Sequence, residues 1–227
     1  MTPVEIEALR LSLEVAALAT AVSLPLAVAV AYTLARVRFP GHAAVNALVH
    51  MPLVLPPVVV GYFLLLLFGT RGPIGHWLDA TFGFRLIFTT QGAALASAVM
   101  SFPLMVRAIR LALDAVDPGL EQAARTLGAA PWDTFRSVTL PLMLPGVLSG
   151  AVVAFAASLG EFGATITFVS NIEGETRTLP LAIFTATQTP DGDAVAARLV
   201  AIAFALAVAM LVLAEWLARR VERAIGR

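Results

Sequence analysis

The chain has 227 residues, 59% of them apolar and 13% charged, with a formal net charge of zero and no cysteine. That composition excludes an ordinary soluble domain, a disulfide framework, a thiolate metal site and a cysteine nucleophile, and it offers no charge for nucleic-acid binding. Lysine is absent too, all fifteen basic residues being arginine. A phosphate-binding P-loop needs its lysine, so any ATP that drives this protein must be bound, with Mg, by another chain.

Five apolar stretches approach or exceed the ~20 residues a helix needs to cross hydrocarbon. They cover residues 11–34, 45–68, 92–113, 138–159 and 194–217. They predict one transmembrane domain over 1–227: an all-α, polytopic helical bundle with no internal repeat. The chain carries Glu5 and Glu7 ahead of Arg10 rather than a basic leader region, so the first stretch is read as a retained span.

Proline punctuates the spans in chain order. Pro25 lies in the first, Pro103 in the third, and Pro141 and Pro145 in the fourth; proline is common in membrane helices, and Pro25 is read that way. The second span is different, because Met51–Pro57 holds Pro52, Pro56 and Pro57 within seven residues. Each removes a backbone donor, and such breaks survive in lipid only where something satisfies the freed groups. Broken helices often border transport paths, which makes Pro56 and Pro57 candidates for a pathway or gate.

After an outer loop at 69–90 with Trp77, Phe82 and Phe84 suited to an interface, a helix over 91–116 would be about 39 Å long. That exceeds a hydrocarbon core of about 30 Å, so Arg107, Arg110 and Asp114 are expected to project from it. Small and hydroxyl residues (Ser97, Ser101, Ser149, Gly150, Ser158, Gly160) mark the third and fourth spans. They suit close helix packing, with Ser101 also a candidate for contact with a passing oxyanion. Glu161 either lines an outer gate or anchors the start of a second outer loop, 161–193. In that loop the apolar patch 179–184 is too short to span and reads as a re-entrant or interfacial helix.

The polar loop 117–137 is the most informative segment. Leu120, Ala123, Ala124 and Leu127 fall at i, i+3, i+4 and i+7, one small apolar face of a helix. Asp117 is an N-cap with Pro118 at the first helical position, and Gly128 supplies a left-handed stop. Glu121 and Arg125 are spaced for an i, i+4 pair on the polar side. Pro131 then opens a second short helix presenting Trp132 and Phe135. An interfacial helix prefers bulky apolar residues and a basic face, so alanines and mixed charge favour docking of a soluble protein.

Arginines set the orientation. Arg36, Arg38, Arg107, Arg110, Arg125, Arg136, Arg219, Arg220, Arg223 and Arg227 fall on one side, and Arg10, Arg71, Arg85, Arg177 and Arg198 on the other. Ten against five puts the first set in the cytoplasm, with the N-terminus outside and the C-terminus inside. Ionisable groups are scarce at mid-membrane depth, against a proton relay. His42, His50 and His76 lack metal-ligand spacing, and Gly146–Gly150 is not a nucleophile elbow. No catalytic residue and no metal site is expected.

Glu121-Gln-Ala-Ala, then Gly128, then Leu140-Pro141, resembles the EAA loop of ABC-transporter permeases, with Gln122 departing from the pattern. Ser158–Asn171 (SLGEFGATITFVSN), Gly174–Ile183, Gln188–Pro190, Arg36–Gly41 (RVRFPG) and Leu53–Gly61 (LVLPPVVVG) are similar to the molybdate branch of those permeases. The resemblance implies an ABC type I importer permease fold with a cytoplasmic coupling helix, and a bacterial inner-membrane location. It also implies a second copy of the chain, a cytoplasmic ABC ATPase dimer that holds the ATP-Mg, and an extracytoplasmic oxyanion-binding protein received by loops 69–90 and 161–193. By the same resemblance Glu121, Ala123, Ala124 and Gly128 serve ATPase docking, and the cargo is molybdate or tungstate. A sulfate or thiosulfate permease is the near alternative; an ion-coupled carrier and a docking scaffold without transport are the distant ones.

Overall fold

In the computed structural model, which describes residues 2–225, every regular element is helical. Helix α1 (Pro3–Arg36) starts with a reciprocal cap: Thr2 accepts from the Glu5 amide, Glu5 accepts from the Thr2 amide, and Pro3 takes the first position. It passes Pro25 without a break. Pro103 and Pro145 likewise sit inside unbroken helices.

The second expected span is not one helix. It is α2 (His42–His50), a 3-10 turn (Met51–Leu53) and α3 (Pro57–Phe68), with a bend of 112° between the two halves. Three prolines in a short stretch explain the difference: three donors are missing where a continuous helix would need them, and Pro56 is extended ahead of Pro57. Four described helices are long and apolar enough to cross a membrane, and the bent pair would make a fifth.

Helix α4 (Pro73–Phe82) occupies the loop 69–90, where Trp77 meets Phe82 edge-on at 5.5 Å. Helix α5 (Thr90–Asp114) is capped by Thr89 and stops two residues short of the expected Val116. Helices α6 (Pro118–Thr126) and α7 (Pro131–Thr134) follow. A π-turn (Phe135–Thr139), in which the Leu140 amide donates to the Phe135 carbonyl, then leads straight into α8 (Leu140–Leu159). The fourth apolar helix therefore runs from 131 to 159 rather than from 138. Helices α9 (Gly163–Val169), α10 (Leu179–Thr187) and α11 (Asp193–Ile225) complete the order. Arg227, placed above with the cytoplasmic arginines, lies outside the described residues, as do the side chains of Arg220 and Arg223.

Helix α5 is the axis of the bundle, packed against α1, α8 and α9. Its side toward α1 and α8 forms one core with Ala27, Ala31, Met105, Ile109, Leu113, Met143 and Val147. Small residues let the backbones approach: a Cβ added at Gly150 would stand 3.2 Å from the Met105 carbonyl. Ser97, Ser101, Gly150 and Ser158 are buried in these contacts, the role expected of small residues between membrane helices.

The segment 161–193, expected as a loop, contains two helices. Ala164, Phe168 and Val169 of α9 are fully buried against Val15, Leu64 and Ala93 of α1, α3 and α5. Its Gly and polar punctuation hid a helix of seven residues, too short to show an amphipathic period. The patch at 179–184 is the start of α10, whose Leu179 and Ala182 pack with Ala8 and Leu199.

Candidate functional site

Helix α6 is built by local chemistry. Asp117 accepts from the Gly119 amide at 2.8 Å, and Pro118 needs no donor. At the other end Gly128 has φ of 91°; its amide donates to Arg125, and the Ala129 amide to Ala124. These two bonds are the Schellman closure, which satisfies carbonyls the helix would leave open. The expected apolar residues stand outward: Leu120 is 48% exposed and Leu127 is 89% exposed, Ala123 is exposed and Ala124 half-buried. A helix with such residues free carries an unsatisfied apolar face at one end of the bundle.

Glu121 corrects the reading of the polar side. It is the one buried residue of α6, and its carboxylate accepts from Thr139 at 2.8 Å and from Arg36 Nη2 at 3.4 Å. Arg125, the partner expected from helical spacing, is exposed. The same Arg36 nitrogen also donates to the carbonyls of Leu113 at 3.0 Å and Val116 at 3.4 Å. Arg36 lies in the last turn of α1, and those two carbonyls close the C-terminal end of α5. The open C-terminal end of α5 and one carboxylate thus converge on a single guanidinium, a favourable arrangement for a cation. Neither Arg36 nor Thr139 was marked by sequence reasoning, because an arginine at the end of a span reads only as an orientation signal.

Helix α7 turns Trp132 outward, 67% exposed, stacked on Phe135 with ring centres 5.5 Å apart. Phe135 is half-buried and meets Tyr32 edge-on at 5.3 Å, so only Trp132 of that pair is presented to the outside. Arg110 reaches back to Asn46 of α2 at 3.1 Å, while Arg107 is exposed.

Three of the four pathway candidates come together. A Cβ added at Gly163 would stand 2.8 Å from Pro57 Cβ, and one at Gly61 would stand 2.6 Å from the Ala164 carbonyl. The Pro56–Pro57 break therefore abuts the Gly160–Gly163 break, where Glu161 accepts from the Ala164 amide at 2.8 Å and caps α9. Pro56 and Pro57 are exposed and Glu161 is half-buried. Ser101 differs: it is buried, and Ser158 donates to it at 3.2 Å in the α5–α8 seam.

The far end is tied by polar contacts. Glu5 pairs with Arg198 of α11 at 2.7 Å, and Ser12 accepts from the Leu179 amide at 2.6 Å. Asn171 accepts from Arg177 and donates to Thr185, and Arg177 pairs with Glu173 at 2.7 Å.

A bundle of apolar helices broken at two abutting turns, with a capped amphipathic helix free at one end, defines a multi-spanning permease subunit. The chain matches the family described as the binding-protein-dependent transport system inner membrane component over residues 23–225, and it belongs to that family. It is 58% identical over 227 residues to the molybdenum transport system permease protein of Escherichia coli K12, covering 100% of this chain and 99% of that one. The namesake of Haemophilus influenzae is 53% identical, covering 98% and 97%. A sulfate transport system permease protein of Escherichia coli is more distant, 38% identical over 84% of this chain and 70% of its own. A solved bacterial alginate ABC transporter, in complex with a periplasmic protein, shares the fold at a TM-score of 0.78 and 18% identity, covering 97% and 80%.

Proposed function

We propose that this chain is the membrane-spanning subunit of an ATP-driven importer that moves molybdate, or tungstate, into the cytoplasm. Helix α6 carries the reading: a rigid, doubly capped helix whose apolar side chains are free and whose one buried side chain is fixed to the bundle. Such a helix transmits the closure of a docked ATPase to the spans. Identity along the whole chain to a molybdenum permease supports the cargo, and the lower identity to a sulfate permease supports the order of the two.

In this reading two copies of the chain work with a cytoplasmic ATPase dimer that binds ATP-Mg, and an extracytoplasmic protein delivers the oxyanion. Arg36, Arg38, Arg107, Arg110, Arg125, Arg136 and Arg219 stand toward the α6 end, against Arg10, Arg71, Arg85, Arg177 and Arg198. That bias supports a cytoplasmic α6 and an outside N-terminus. The abutting breaks at Pro56–Pro57 and Glu161 border the path, and the chain itself performs no catalysis.

Uptake of labelled molybdate at nanomolar concentration, in cells with and without this gene, tests the reading. Gene-dependent uptake blocked by tungstate and not by sulfate is expected. Block by sulfate moves the cargo to sulfate, and absence of gene-dependent uptake overturns the importer reading.

Docking has its own check. Gly128→Val places a β-branched residue at a φ that L-residues avoid, with nothing within 4 Å of its Cβ, so the cost is backbone strain of about 1–2 kcal/mol. Membrane insertion should persist while copurification of the ATPase weakens. Undiminished copurification would count against α6 as the docking element.

A further inference from the structure

The orientation of α6 depends on few contacts. Its links to α5 and α7 are short turns, Leu120, Ala123 and Leu127 are exposed, and Glu121 is its sole buried residue. That carboxylate is held by Arg36 of α1 and Thr139 of the π-turn. Resting on the reading of α6 as the docking helix, we propose that Arg36 is a positioning residue for energy coupling. It fixes the angle of α6 against the ends of α1 and α5, so that displacement of α6 by the ATPase carries both helices. Without it α6 could yield under the ATPase while the spans stayed in place.

The geometry states what the position requires. One nitrogen, Nη2, makes all three contacts: to the carbonyls of Leu113 and Val116 and to the Glu121 carboxylate. Arg36 Nε is buried with no partner. A lysine ammonium offers three donors from one atom and brings no orphan N–H with it. The function assigned to Arg36 is therefore one that lysine can supply and a neutral side chain of similar length cannot. A purely local packing role would rank methionine and lysine alike.

The test uses the complete transporter, permease with its ATPase and binding protein, in proteoliposomes. The quantity read is molybdate accumulated per ATP hydrolysed, together with copurification of the ATPase. Arg36→Met should keep the ATPase bound yet lower accumulation per ATP about tenfold. Arg36→Lys should recover it to within about threefold of the unmodified protein. Arg36→Met combined with Glu121→Gln should be no worse than the poorer single variant, because both remove the same link. Should Arg36→Met fail to insert, Thr139→Val removes the second donor to Glu121 without stranding a charge, and a loss in the same direction is expected.

Unchanged accumulation per ATP in Arg36→Met and Thr139→Val overturns the proposal. So does lysine behaving as methionine does, or effects at 36 and 121 that multiply. If the ATPase does not associate with the unmodified permease at all, the docking reading itself has failed, a result distinct from any of these.

Discussion

Gly146→Val is expected to separate α5 from α8 and abolish uptake. A Cβ at 146 would lie 2.1 Å from the Ala112 Cβ and 3.4 Å from the Ala108 carbonyl. Neither neighbour is the free end of a flexible chain, so the helices themselves must move. Overpacking of this kind costs about 1–3 kcal/mol, and a collision with a rigid methyl belongs at the upper end. The seam is the most extensive between any two helices of the bundle, so the displacement would reach Met105, Ile109 and Met143 of the core. Thermal unfolding of the purified protein in detergent should show a lowered midpoint. Gly146→Ala with Ala112→Gly moves the small residue to the facing helix and should recover much of the loss. An unchanged midpoint for Gly146→Val would falsify the close approach.

Glu121→Ala should be costly for a different reason. It leaves Arg36, with its side chain 19% exposed, facing the open end of α5 without a counter-charge. Removing one member of a buried pair costs about 3–5 kcal/mol, and the residual exposure of Arg36 points to about 3. Thr139 loses its acceptor at the same time. The expected result is a permease that inserts and keeps the end opposite α6, while the protease susceptibility of 115–131 rises sharply. Equal protection of that segment in Glu121→Ala and the unmodified chain would show that α6 is held by something other than its carboxylate. The far end supplies the control, because Glu5 pairs with an Arg198 that is half exposed, and its loss should leave 115–131 untouched.

What could be read without coordinates divides by range. The caps of α6 at Asp117, Pro118 and Gly128 depend on residues within one or two turns, and the local pattern identified all of them. The direction of Glu121 depends on Arg36, 85 residues away in the chain, and helical spacing to Arg125 suggested a partner that the fold does not use. Span positions follow from composition, since apolar length is itself the signal. The break at Pro52–Pro57 was legible, but not its angle of 112°, since α3 packs against α9 from a distant part of the chain. Helix α9 escaped because Gly160 and Gly163 at its start read as loop, and seven residues are too few to show a helical period. The same burial explains Ser101: its position in the α5–α8 seam is fixed by the facing Ser158, which lies 57 residues on.

The π-turn at Phe135–Thr139 sets a phase. A wide turn spends one residue more than an α-turn, and each residue turns an α-helix by about 100°. One uninterrupted stretch of chain, 131–159, must present Trp132 to the outside at one end and Gly146 and Gly150 to α5 further along. The extra residue makes the two directions compatible. Deleting it would leave an unbroken helix of the right length and hydrophobicity whose two ends could not both face their partners.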